Sequence, residues 1–254
     1  MEIIVVANQK GGVGKTTTVT TLASMLNKKG HKTLIVDADL QGNTSDTFRV
    51  QIEGKATLYD VILDDDRIPA QEAIQSTEYG DIIASDPLLR RADEILKNDV
   101  DGPYRLADAL KEVKDYEYIV IDTGPALNSI LHSCLIAADK VIIPLNPERY
   151  AIQGLSQLQD TIAAVRKRQN PNLEVDGLLL TRFKGRTNLS RMTREALEKL
   201  AEDLDTKLYR TVIRDTVNIG DAQARRMLLE DYAPKGIATI DYSSFVDEFL
   251  GGNE

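Results

Sequence analysis

An α/β fold, with a mostly parallel twisted sheet and helices on both of its faces, is predicted by three features of the sequence. Short β-branched runs alternate with longer amphipathic stretches, as in chains of βαβ units. Two runs, YIVID (118–122) and GLLLT (177–181), are apolar almost without a break, as strands covered on both faces are. The first run of the chain leads directly into a glycine-rich loop that opens a helical pattern.

Taken in order, the β-branched run Ile3–Ala7 is a buried strand, and Thr16–Lys29 is an amphipathic helix that Gly30 closes just past its C-cap. Strands follow at Thr33–Asp37 and Asp81–Ala84, then a helix at Tyr104–Val113 and the strand Tyr118–Asp122. The strand Lys140–Pro144, the helix Gly154–Arg168, the strand Val175–Thr181 and the helix Asn188–Leu204 complete the alternation. A last amphipathic segment, Tyr242–Leu250, is expected to turn Phe245 and Phe249 onto the core. No Pro/Gly/Ser-rich linker, repeat or low-complexity tract divides the chain, so residues 1–254 read as a single domain.

Composition narrows the function. Hydrophobic residues are 42% and charged residues 28% of 254, enough aliphatic material for a large core. Lys+Arg 31 against Asp+Glu 40 gives −9, which excludes a wholly basic nucleic-acid coat. No apolar run approaches the roughly 20 residues that span a bilayer. Glu2 stands where a signal peptide needs basic residues, so a cytoplasmic protein is expected. A single cysteine, Cys134, excludes an internal disulfide and a Cys-based metal cage; it reads as a small core residue, and His132 as an ordinary side chain.

The sharpest motif is KGGVGKTT, residues 10–17, between the first strand and the first helix. Gly11, Gly12 and Gly14 let the backbone curl so that N–H groups of the loop, through Val13 and on to Thr17, point inward at a phosphate, and the helix N-terminus adds positive potential. Lys15 reaches the terminal phosphates and the Thr16 hydroxyl ligates Mg²⁺, which makes ATP and Mg²⁺ the expected cofactors of a P-loop NTPase. The usual pattern begins with a glycine where this chain has Gln9, and it carries instead a second lysine, Lys10. A second ammonium repels Lys15 unless more negative charge is present, so Lys10 reads as reaching the nucleotide of a facing subunit, as an arginine finger does. Carboxylates end two of the strands, Asp37 (with Asp39 just beyond) and Asp122, at the edge where parallel sheets bind ligands. Asp122 and Asp37 are candidate metal carboxylates, and Asp39 is placed to orient an attacking water.

With these residues in hand, the chain resembles the deviant Walker-A ATPases, most closely the ParA/Soj partition ATPases. The resemblance runs along essentially the whole chain: NQKGGVGKTTT, VDADLQGN, YEYIVIDTGPAL, NPERYAIQGLSQL, GLLLTRFKGRTNLS and YAPKGIATIDYSSFVDEFL. It implies a homodimer that sandwiches ATP, weak ATPase activity, ATP-dependent binding of non-specific duplex DNA on the nucleoid, and stimulation by a ParB-like centromere-binding partner. By matching position, Lys10 is the signature lysine and Lys15 the Walker A lysine. Asp39 is then the catalytic switch aspartate and Asp122 the Walker B residue, with Gly124 and Pro125 opening the second switch. The chain looks like the short type without an N-terminal helix-turn-helix. It departs from the family at Leu40, at Gly124, and at Arg214 and Asn218, which replace a proline that lines the adenine pocket and a DNA-contacting arginine. This divergence resembles plasmid or mobile-element members more than chromosomal ones.

Between Arg182 and Arg226 lie eleven basic and seven acidic residues, a net +4 on a chain of −9. A basic surface on an acidic protein suits backbone contacts to DNA. Arg186 matches a family DNA-contact position, Arg191 and Arg194 are neighbours on the next helix, and Arg225 and Arg226 are placed to compensate for Asn218. A MinD-like membrane-positioning ATPase is the alternative, but it needs a basic amphipathic tail, and residues 242–254 are acidic. A relative of nitrogenase iron protein needs two cysteines per subunit, and a dethiobiotin-synthase-like ligase does not account for GRTNLS or the tail.

Overall fold

The computed structural model describes residues 1–63, 65–147, 155–184, 197–202 and 205–251. Its strands are β1 (Glu2–Val6), β2 (Thr33–Ala38), β3 (Ile74–Thr77), β4 (Gly80–Ile83), β5 (Tyr118–Thr123), β6 (Lys140–Leu145), β7 (Glu174–Phe183) and β8 (Leu208–Arg214). They form one sheet in the order β3-β4-β2-β5-β1-β6-β7-β8. Every pairing is parallel except the β3–β4 hairpin at one edge.

Alternation along each strand feeds two cores. Ile3 and Val5 of β1, with Val36 and Ile121, pack toward α5 (Arg105–Lys111), α6 (Ser129–Ala137) and α7 (Ser156–Arg168). Ile4 and Val6, with Ile35 and Val120, face α1 (Lys15–Lys28) and a C-terminal helix, Ile237–Phe249, on the other side. Phe245 is fully buried there and Phe249 nearly so, as the sequence predicts, although that helix starts five residues before Tyr242. Cys134 is a buried residue of α6.

All six expected strands are present; four gain one or two residues at an end, and the strands expected at Ile3–Ala7 and Asp81–Ala84 each start one residue earlier and stop one residue short, without Ala7 and Ala84. The hairpin strand β3 and the edge strand β8 are additional to them. β8 alternates buried Tyr209 and Ile213 with exposed Arg210 and Arg214, so it lacks the continuous apolar run that marks a central strand. Tyr104 belongs to a short 3₁₀ turn ahead of α5, not to the helix itself. The expected helix Gly154–Arg168 is observed as Ser156–Arg168. Most of the predicted helix Asn188–Leu204 lies outside the described residues; residues 197–202 are helical.

Candidate functional site

The site is built at the C-terminal edge of the central strands, where β1, β2 and β5 end side by side. The chain leaves β1 through Asn8, whose amide nitrogen donates to the Pro144 carbonyl at 2.7 Å while its oxygen accepts from the Lys10 N–H at 2.9 Å. Gly12 (φ +72°) and Gly14 (φ +88°) then take the left-handed backbone that a Cβ disfavours. Gly14 is the N-cap of α1 and supplies no side-chain cap, so the first N–H groups of α1 are left for an anion. The Thr181 hydroxyl, at the end of β7, bonds the Val13 carbonyl at 2.8 Å and fixes the loop from the far side.

Lys15 is buried, with its ammonium 3.3 Å from the Lys10 carbonyl oxygen. Burial pulls its pKa below the ordinary lysine value, against the charges of Asp122 and Asp39, which pull it up. Lys10 is exposed at the loop's tip.

Opposite the loop stand the carboxylates. Asp37 and Asp122 are register neighbours on β2 and β5, and both are fully buried. Asp122 Oδ2 accepts from the Thr16 hydroxyl at 2.9 Å and the Thr44 hydroxyl at 2.7 Å, whereas its Oδ1 is buried without a partner. Both oxygens of Asp37 are engaged by the chain that follows: Oδ1 accepts from the Asp39 N–H at 3.1 Å, and Oδ2 from the Ser45 N–H and hydroxyl at 2.8 and 2.7 Å. Burial, and then the Asp122 charge, push Asp37 up to about 8. Burial pushes Asp122 up to about 6, while the Thr44 and Thr16 hydroxyls hold it down.

Thr44 and Ser45 sit on α2 (Asn43–Thr47), a one-turn helix opened by Gly42 in left-handed conformation. Asp39 lies before it, accepting the Gln41 N–H at 3.1 Å, with its own carbonyl held by the Ser85 hydroxyl at 2.6 Å. Gly124 abuts Asp39: a Cβ added there would stand 3.0 Å from Asp39 Oδ1.

Two cavities meet at this edge. One, of about 390 Å³, is the phosphate cleft between Gly11–Thr17 and the Asp39–Thr47 segment. The other, of about 710 Å³, lies beyond it and is lined by Gly14, Thr181, Arg182, Ile213, Asp215 and Tyr242, together with α8 (Val217–Ala224). Gly12, Gly14, Thr17 and Gln223 border both, so a ligand with phosphates in the first reaches the second past Gln223, whose Nε2 donates to the Thr17 hydroxyl oxygen at 3.0 Å. Arg214 does not line the larger cavity: its guanidinium turns away onto Asp241 of the C-terminal helix, with Nε 2.9 Å from Oδ2.

The structure thus lines one cleft with Gly11, Gly12, Gly14, Lys15, Thr16, Thr17 and Asp39, while Asp37 and Asp122 are buried beside it, Val13 is buried in the loop and Lys10 is exposed at the loop's tip. Thr44, Ser45, Ser85, Thr181 and Gln223 join them without a motif to announce them. Arg186, Arg191 and Arg194 lie outside the described residues. Arg225 is exposed, its guanidinium 5.7 Å from the Tyr232 ring centre, and Arg226 is paired with Asp46. Among the described residues no group of three or more His, Cys, Asp or Glu could hold a metal alone, and no helix is long and apolar enough to cross a membrane. The hard oxygens of Thr16 and Asp122, one of them unpartnered, fit Mg²⁺ shared with a ligand's phosphates, since that ion is seldom held by an all-protein cage.

A family model described as an AAA domain matches residues 1–175. The sporulation initiation inhibitor protein Soj of Bacillus subtilis is 36% identical over 249 residues, 97% of each chain. The chromosome partitioning protein ParA of Myxococcus xanthus is 36% identical over 92% of this chain and 83% of its own. The chain belongs to the ParA/Soj family of partition ATPases. Among solved structures of this P-loop fold, a Cyanothece McdA variant in complex with ATP superposes with a TM-score of 0.85 at 25% identity, covering 100% of this chain and 98% of that one. Cobyrinic acid a,c-diamide synthase from Mycobacterium smegmatis, with bound ADP and magnesium, gives 0.83 at 29%, over 98% and 94%.

Proposed function

We propose that this chain is a partition ATPase of the ParA type: it binds ATP with Mg²⁺, dimerises around the nucleotide, holds non-specific duplex DNA in that state, and lets go when a ParB-like partner stimulates hydrolysis. The observation that carries the reading is the junction of Thr16, Thr44 and Asp122, with one carboxylate oxygen unpartnered, set opposite an uncapped helix N-terminus and a buried lysine. Lys15 and the first N–H groups of α1 bind the phosphates. Thr16 and Asp122 would hold Mg²⁺, which would supply positive charge beside the phosphates. Asp37 acts behind them, fixing the loop that carries Asp39. Asp39, held by the Gln41 N–H, orients the attacking water, and Lys10 serves the partner protomer's nucleotide across the dimer. The larger cavity takes the base. DNA contacts are assigned to Arg186 and Arg191 with Arg225, as the +4 segment suits, and the site of action is the nucleoid.

The test is Asp39→Ala. It is expected to bind ATP, to lose turnover and to persist as a dimer that holds duplex DNA of any sequence, with affinity falling steeply as salt rises. Adding Arg186→Ala should lower the salt slope by roughly 0.9 for each DNA phosphate that is no longer neutralised, without changing ATP affinity. Wild-type turnover by Asp39→Ala, or a trapped dimer without DNA affinity at low salt, refutes the reading. Gly124→Ala is a second probe: the added methyl displaces the Asp39 carboxylate, so turnover should drop about ten-fold with ATP binding intact. Unchanged steady-state hydrolysis would show that Asp39 tolerates the shift.

A further inference from the structure

Two helices at the nucleotide site end alike. α2 and α8 each run, one residue past the C-cap, into an arginine on left-handed backbone: Arg49 and Arg226, both at φ +53°. Helices usually place glycine there, because a side chain makes the conformation costlier, and such an outlier persists only where something holds it. Each arginine here crosses to the other helix. Arg226 grips Asp46 of α2 with two prongs, Nε to Oδ2 at 3.0 Å and Nη2 to Oδ1 at 2.8 Å. Arg49 donates from Nη2 to the Arg226 carbonyl oxygen at 3.3 Å, its Nη1 being paired with Glu78 at 2.7 Å.

The link lands on a telling spot. Thr44, Ser45 and Asp46 are consecutive: the first bonds Asp122, the second bonds Asp37, and the third is held by Arg226. The length of α8 walls the larger cavity, and near the same end as Arg226 it sends Gln223 to the Thr17 hydroxyl oxygen at the phosphate loop. The Arg226 and Asp46 side chains are 58% and 56% exposed, so the pair adds little to folding stability. Its effect is on where the two helices sit.

We propose that Arg226 is a positioning residue: with Arg49 it braces α8 to α2, so that a base seated against α8 holds Thr44 and Ser45 on the two buried carboxylates. The proposal rests on the reading of the site as an ATP–Mg²⁺ site. It gives Arg226 a role other than contacting DNA, and it couples the base cavity to the metal side of the cleft.

Arg226→Gly tests it, because glycine suits the left-handed backbone and removes only the brace. The thermal midpoint should stay at or above that of the wild type. Release of a fluorescent ATP analogue, followed by stopped flow, should quicken about five-fold with Mg²⁺ and less than about two-fold in EDTA. Asp46→Asn should match it, and the reversed pair Asp46→Arg with Arg226→Asp should return release to within about two-fold of the wild type. Should Arg226→Gly lose stability, Asp46→Asn carries the test. The brace is overturned by unchanged release, by equal quickening with and without Mg²⁺, or by weakened DNA binding with normal release, which would make Arg226 a phosphate contact. A wild-type protein that binds no nucleotide sinks the ATP reading itself and the brace with it; binding with no effect of the variants sinks only the brace.

Discussion

Asp122→Asn is expected to make the nucleotide-free protein more heat-stable than the wild type, by an amount that grows as pH rises from about 4 to about 8. The cause is two fully buried carboxylates on neighbouring strands, whose burial outweighs the hydroxyls of Thr44 and Thr16 and the charge of Lys15 that hold Asp122 down. Their folded pKa values, about 8 for Asp37 and about 6 for Asp122, lie above the ordinary carboxylate range. The native state therefore binds more protons than the unfolded chain across that window, and stability falls as pH rises through it. For Asp122 alone the rise corresponds to roughly 3 kcal/mol once both states are ionised. The amide keeps an oxygen for Thr16 and Thr44 and puts an N–H where the unpartnered oxygen was, which costs about 1 kcal/mol. The net is about 1–2 kcal/mol at pH 8, a few degrees in a protein of this size. Calorimetry at pH 5 and pH 8 decides it: a gap that is absent, or that closes with rising pH, shows that the carboxylates are not charged together. The same variant should lose the Mg²⁺-dependent part of its nucleotide affinity, because the oxygen opposite Thr16 no longer carries a charge.

Much of this site is legible in the sequence because phosphate binding constrains the backbone. Gly12 and Gly14 stand where the chain turns left-handed, and a strand with Asp122 next to its last residue brings that carboxylate to the cleft's edge whatever the neighbouring loops do. The residues that hold those carboxylates are not legible. Asn43–Thr47 reads NTSDT, with no apolar period to predict a helix, yet Thr44 and Ser45 are buried in it because Asp122 and Asp37 accept their hydroxyls. Strands β3 and β8 escape for a related reason. Each is a sheet edge with one solvent-facing side, so its pattern is broken by polar residues. Arg214 is the most instructive. The family resemblance puts its position in the base pocket, but an ion pair to a residue 27 positions later, on the C-terminal helix, draws the side chain out of that cavity. Periodicity reports which face of an element is buried. It carries no information on which charge finds which partner.

Lys15→Ala should reduce ATP affinity by more than about 100-fold while leaving the fold intact, the largest effect expected of any single substitution on binding. In the nucleotide-free cleft Lys15 feels the charges of Asp122 and Asp39, so the cleft is not positive before any phosphate arrives. Burial already disfavours the ammonium, and its one short contact is the Lys10 carbonyl oxygen at 3.3 Å. A triphosphate supplies the anionic partner that this buried cation lacks, so the interaction is made almost wholly in the bound state. Removing the ammonium withdraws it there and leaves Asp122 and Asp39 to repel the ligand. The free protein, by contrast, loses little, because Lys15 is weakly bonded in it. Mg²⁺ should rescue only part of the loss, since it meets the phosphates from the Thr16 and Asp122 side. Titration calorimetry with a slowly hydrolysed ATP analogue, with and without Mg²⁺, measures both quantities. Affinity within about ten-fold of the wild type would mean that the loop N–H groups and Mg²⁺ carry the phosphates by themselves, and that Lys15 acts only later, on the charge that develops as the phosphoryl is transferred.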